Sequence, residues 1–244
     1  MSGAVKAREE SAHVRLEIDG PVAHLVLARP AKRNAVSQAM LRTMTDALSA
    51  VNADERVGAL LLRGEGPDFC AGEDVRGFEF PDTETAVGFL DGPLGFFTAL
   101  ETLAKPVVAA VHGHALGFGS EVLLACDAVL ADPAAIFGFA EIDHGAVPSV
   151  LMTRGLDCVF RRRALDLALT GRRLGASEAR AMRLVHEVVD DVHEAAQRLA
   201  LELAGRPSQA VRLIKTLLGA GAHDDHAAAA EFMGRVLLQV RPAI

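Results

Sequence analysis

Two short, unbroken apolar runs, VGALLLRG (57–64) and PVVAAVHG (106–113), do most to restrict what this chain can fold into. Both lack the polar alternation of a strand with one wet face, and both end in glycine. Such runs suit strands covered on both faces, as in a parallel sheet flanked by helices. HVRLEID (13–19) and PVAHLVLA (21–28) alternate instead, and Asp19-Gly20 between them predicts a hairpin. Further strands are expected at DAVLA (127–131) and AIFGF (135–139). Ser37 is placed to cap a helix running to Ala53, with Ala39, Met40, Met44, Ala47, Leu48 and Val51 on one face. A second helix is predicted over 84–104, with Phe89, Leu90, Leu94, Phe96, Phe97 and Leu100 mostly in the core, and a third through Cys126. From residue 150 onward the pattern is helical: 158–170, 176–184, 192–204, 207–219 and 225–240. Strands alternating with helices, then helices alone, predict an α/β core with a helical C-terminal part.

Composition narrows the function classes. Half of the 244 residues are hydrophobic, enough for a large core. The net charge of −7 argues against a nucleic-acid surface. Cys70, Cys126 and Cys158 show no CxxC spacing, which fits a reduced, cytoplasmic protein. The N-terminal MSGAVKAREESAHV has no apolar stretch and carries acidic residues, so neither a secretory leader nor a transit peptide is expected. No window of 18 uninterrupted apolar residues predicts a membrane span.

Chemistry concentrates in two glycine-bearing loops, GEGPDFCAGED and HGHALGFGSEVLLACD (112–127). Each follows a predicted buried strand and precedes a helix or turn. With those strands as neighbours, the backbone N–H groups of Glu73 and Phe118 would converge on one point, as in an oxyanion hole. Neither loop has the Gly-Lys-Ser/Thr of a P-loop or the full glycine set of a dinucleotide fingerprint. Glu121 follows the second loop directly, in the first turn of an apolar helix.

LARPAKRNAV (27–36), FCAGEDV (69–75), GHALGFGSEVLLACD (113–127) and FGFAEIDHGAVP (137–148) resemble, in order and spacing, the enoyl-CoA hydratase/isomerase (crotonase) family. LTGRRLGASEARAMRLVHEVV (169–189) resembles the family's next segment, so the likeness runs from about residue 13 to 220. The resemblance implies a crotonase-like ββα spiral core over 13–190, a flexible N-terminus over 1–12 and a helical trimerisation region over 191–244. Glu73 then occupies the x of an AGxD motif and Phe118 the middle of GxG; their N–H groups would polarise a thioester carbonyl. The family's hydratase glutamates fall on Glu121 and Glu141. Arg29, Lys32, Arg33, Ala71, Gly72, Asp74, Gly117, Pro148 and Ser149 would contact an acyl-CoA substrate, with Lys32 and Arg33 meeting its phosphates.

Two carboxylates suit syn addition of water to a 2-enoyl-CoA, a hydro-lyase reaction of fatty acid metabolism. The alternatives are a Δ3,Δ2-enoyl-CoA isomerase, an acyl-CoA hydrolase or decarboxylase, and a non-catalytic acyl-CoA-binding or RNA-binding member. Ser149 and Val150 stand where hydratases of the family carry a glycine-rich run after the proline. Asp143 and His144 are close enough in sequence to join the site, and His114 is expected to serve packing. Coenzyme A would arrive as part of the substrate, so no metal or redox cofactor is expected. The resemblance further implies a homotrimer, or two trimers paired as a hexamer.

Overall fold

Gly20 adopts the left-handed backbone (φ 55°) that turns the chain between β1 (Val14–Asp19) and β2 (Val22–Leu27), an antiparallel pair. The structure is a computed structural model that describes residues 13–74, 82–153, 159 and 161–219. The expected helix over 225–240, the N-terminus over 1–12 and Cys158 lie outside the described residues.

α1 (Gln38–Ala53) follows, capped by Ser37, whose hydroxyl accepts from the Met40 N–H at 3.3 Å. Its buried stripe, Ala39, Met40, Leu41, Met44, Leu48 and Val51, recurs at helical spacing and faces the core. β3 (Ala59–Gly64), α2 (Thr83–Glu101) and β4 (Val107–Val111) come next. β5 (His114–Leu116) leads into α3 (Phe118–Glu121), which a 3₁₀ turn (Val122–Ala125) continues. The expected helix through Cys126 is therefore only about one α turn plus this tighter turn. Asp127 donates its N–H to the Val107 carbonyl, and the chain must straighten there to enter β6 (Ala128–Ala131).

β7 (Ile136–Gly138), a 3₁₀ turn (Glu141–His144), α4 (Ser149–Thr153) and α5 (Arg161–Thr170) complete the middle of the chain. β8 (Arg173–Gly175), α6 (Ala176–Ala181), β9 (Glu187–Val188), α7 (Val192–Ala204) and α8 (Ser208–Gly219) follow. The large sheet has the order β1-β2-β3-β4-β6-β9 and is parallel from β2 onward. A second layer holds β5-β7-β8, extended by bridges between Cys70 and Ala115 and between Val36 and Glu73. Successive turns of chain run from the large sheet through the second layer, and the first three continue into a helix. That repetition is a ββα spiral.

Side chains alternate across the large sheet as its period of two requires. Leu25, Leu27, Leu60, Leu62, Val107, Ala109 and Val111 join the main core with α1 and α2. Val22, Ala59, Leu61, Val108 and Ala110 face the other way and are covered by Val192, Ala195, Ala196 and Ala200 of α7. The packed core thus runs past the expected boundary at 190, because α7 closes the second face of the sheet. On α2 the apolar residues divide: Phe96, Phe97 and Leu100 are buried, while Leu90 and Leu94 are 49% and 57% exposed. The helix lies on the surface, so only one of its sides meets the core. Among the described residues no helix is long and apolar enough to cross a membrane.

Candidate active site

The second layer brings the two glycine-bearing loops into contact. Cys70 donates its N–H to the His114 carbonyl, and Leu116 donates to that of Cys70, both at 2.9 Å. Gly119 is a packing requirement: a Cβ there would lie 2.4 Å from the Cys70 carbonyl oxygen. Gly117 answers a conformational one, with φ 52°. A Cβ on Gly117 would stand 3.7 Å from Gly72 Cα and 3.2 Å from Glu141 Oε1, so three separate segments meet at this glycine.

Glu73 and Phe118 each follow one of these glycines. Among the described residues, neither backbone N–H donates a hydrogen bond to the protein. The Phe118 side chain is buried against Phe96 and Phe97, with ring centroids 5.5 Å apart in both pairs. Its role is to seat α3 on α2, which leaves the backbone to face the site.

Glu121 is only 7% exposed, and its Oε1 accepts N–H bonds from Val150 at 2.8 Å and Leu151 at 3.2 Å. Burial pushes this carboxyl up to about 7, and the charge of Glu141 pushes the same way; the two N–H donors pull against both. Glu141 opens the 3₁₀ turn, and burial raises its carboxyl as well, opposed by a hydrogen bond from its own backbone and by His144. Its Oε2 is buried without a hydrogen-bond partner among the described residues. Glu73 is raised to about 7, first by burial and then by Glu141. Here the sequence-based expectation is incomplete, because it assigned Glu73 a backbone role alone. The loop also carries Glu65, Asp68 and Asp74, so nothing in its local pattern singles out the Glu73 side chain.

Buried polar side chains pin this arrangement, and sequence reasoning missed them. Asn34 donates to the carbonyls of Glu65 and Asp68 and accepts from the Arg29 N–H. The Ser120 hydroxyl donates to the Ala115 carbonyl at 2.6 Å and accepts from the Gly138 N–H at 3.1 Å. His114, expected to pack, lies with Nδ1 2.6 Å from Asp68 Oδ1, since a buried carboxylate needs donors more than it needs an apolar neighbour.

The expected substrate contacts divide. Ala71 bonds the Arg33 carbonyl through its N–H, which sets it beside the exposed Lys32 and Arg33. Gly72 and Gly117 line the meeting point, Pro148 is buried, and Ser149 is exposed at the start of α4. Arg29 differs from expectation: its guanidinium is held by Asp74 at 2.8 Å and the Ala35 carbonyl at 3.1 Å. Both side chains are mostly buried, so this pair ties two loops together. Asp143 and His144 are exposed, with Asp143 against Gly171.

Residues 17–240 match the family described as enoyl-CoA hydratase/isomerase. The chain belongs to that family. A "probable enoyl-CoA hydratase" of Rhizobium meliloti is 38% identical over 178 residues, covering 71% of this chain and 67% of the relative. An enoyl-CoA hydratase of Mycobacterium smegmatis superposes with TM-score 0.87 at 27% identity, over 93% of this chain and 90% of the other. A Thermobifida fusca YX protein solved in complex with CoA gives TM-score 0.86 at 30% identity, over 95% and 94% of the two chains. Enoyl-CoA hydratase/isomerase membership accounts for the shared fold.

Proposed function

We propose that this chain is a 2-enoyl-CoA hydratase. The observation that carries the reading is the placement of two carboxylates, the buried Glu121 and the partly buried Glu141, where the Gly72 and Gly117 loops meet. The thioester oxygen would accept from the N–H groups of Glu73 and Phe118, which hold negative charge better than a neutral carbonyl. Water then adds to C3 while one carboxylate takes its proton. The π electrons move to the thioester as an enolate. The other carboxyl returns a proton to C2, so one molecule of water is added overall. Lys32 and Arg33, exposed beside Ala71, are the candidates to meet the CoA phosphates. Backbone donors carry the enolate charge, so the reaction needs no metal or redox cofactor.

One observation favours a second reading, a Δ3,Δ2-enoyl-CoA isomerase. Glu121 Oε1 is already engaged by two N–H groups, whereas Glu141 Oε2 is unpaired among the described residues. A single carboxylate shuttling a proton would suffice for isomerisation. Incubation with a panel of 2-enoyl- and 3-enoyl-CoA thioesters in heavy water, with products read by mass, separates the two. The hydratase reading expects a 3-hydroxyacyl product with one deuterium at C2. Conversion of 3-enoyl to 2-enoyl substrate without hydrated product would overturn it.

A further inference from the structure

Glu73 adds a third carboxylate to the site, and the path of its backbone says where that group points. Residues 72–74 pair with Val36 as a short parallel bridge: Val36 donates to the Gly72 carbonyl, and Asp74 donates to that of Val36. In bridged, extended backbone adjacent side chains face opposite ways. Asp74 turns to Arg29, so Glu73 turns to the other side, where Glu141 acts on it. Gly72, which precedes Glu73, is the residue whose Cα a Cβ on Gly117 would approach to 3.7 Å, beside Glu141 Oε1. The second layer of the spiral therefore gathers Glu73, Glu121 and Glu141 from three successive turns.

Among the described residues, none of these carboxylates forms an ion pair with lysine or arginine. The groups that act on them, among the described residues, are the carboxylates themselves, the Glu141 backbone and His144 on Glu141, and the Val150 and Leu151 N–H donors on Glu121. Three like charges in a largely buried space resist full ionisation, and their protons leave in steps that belong to the cluster. Burial and Glu141 raise Glu73 to about 7, and Glu73 in turn adds to the raising of Glu121.

We propose that Glu73 is a positioning residue for a proton: with its carboxylate in the pocket, the Glu121–Glu141 pair keeps a proton at pH values where the pair alone would be fully ionised. Hydration needs one member ionised and one protonated, so Glu73 extends the reaction toward higher pH. The inference rests on the hydratase reading.

Glu73→Gln keeps the backbone N–H and near-native shape while removing the charge. The basic limb of its kcat/KM profile is expected to move to lower pH. Glu73→Asp, which restores a carboxylate, is expected to return the limb to the wild-type position. An unmoved limb in Glu73→Gln, or an Asp variant that behaves like the Gln variant, would overturn the proposal. A second readout does not depend on turnover. A carboxyl raised in the folded state makes stability fall as pH rises from its unfolded value toward its folded one. The melting temperature of Glu73→Gln relative to wild type is therefore expected to climb between pH 5 and pH 8. A flat difference overturns the carboxylate cluster itself. A climbing difference in a protein that hydrates no enoyl-CoA leaves the cluster standing and removes only the hydratase reading.

Discussion

Glu121 is held by Val150: its Oε1 accepts the Val150 N–H at 2.8 Å, so the first turn of α4 fixes a carboxylate carried by α3. The contact is to backbone, and the Leu151 N–H of the same turn adds a second at 3.2 Å. Burial raises the acid, and the amide donors still favour its charged form.

Replacing either glutamate tests the acid–base assignment. Glu121→Gln and Glu141→Gln are each expected to lower hydration of a 2-enoyl-CoA by about 10²–10⁴-fold, with thioester binding changed only a few-fold. The double variant should fall short of the product of the two losses, because the groups act as a unit. Steady-state kinetics and calorimetry check both statements. Sensitivity to only one of the two would point to the isomerase.

Gly119 carries a different expectation. Its missing side chain lets the Cys70 carbonyl approach, and an added methyl would sit 2.4 Å from that oxygen. Gly119→Ala is expected to cost about 1–3 kcal/mol and to spread the two loops, weakening thioester binding as well. Gly95→Ala, on the exposed side of α2 with open space around it, is the control, expected to be neutral or to stabilise by up to ~1 kcal/mol. Thermal melts of the pair decide it. Equal behaviour would mean that the loops are not in close contact.

Much of this fold was legible because its strands and helices announce themselves by period. The hairpin, the Ser37 cap and both buried runs were readable from local pattern alone. Of the second layer only β7 was expected, at 135–139; β5 and β8 have three residues each, too few for alternation to register. Glu121 and Glu141 are candidates by motif order, whereas Asn34 and Asp68 act through contacts between segments far apart in sequence. The Glu73 side chain was not legible, because its motif gives a part only to the amide. The Arg29–Asp74 pair was not legible, because a positive charge near a ligand loop reads the same whether or not a carboxylate claims it.

Asp68 gives the chain an acid-sensitive point. Burial pushes its carboxyl up, but hydrogen bonds from the side chain and backbone of His114 outweigh this and leave it lowered. A depressed carboxyl contributes stability above its unfolded value, about 3.9, and loses it as pH falls through the folded one. Asp68→Asn is expected to cost about 1–3 kcal/mol at pH 7, with the gap to wild type narrowing below about pH 4. Urea titrations at both pH values measure it. A gap independent of pH would count against the charge of Asp68 as its source.

The oligomeric state is a separate expectation. Ile214 of α8 is 57% exposed, and Leu90 and Leu94 add apolar surface on α2. A homotrimer, or two trimers paired, is expected in solution. Light scattering at micromolar concentration tests it, and a stable monomer would contradict it.

The spiral has an evolutionary consequence. Glu73, Phe118 with Glu121, and Glu141 come from consecutive turns, each at or just beyond the second layer. Each turn rests on its own strand in the large sheet, so a substitution at one junction leaves the strands under the others paired. Reaction type can then drift by exchange of single residues, one junction at a time, without loss of the backbone pocket between them. Inheritance in such a lineage would be of the pocket, and divergence would be of its proton carriers.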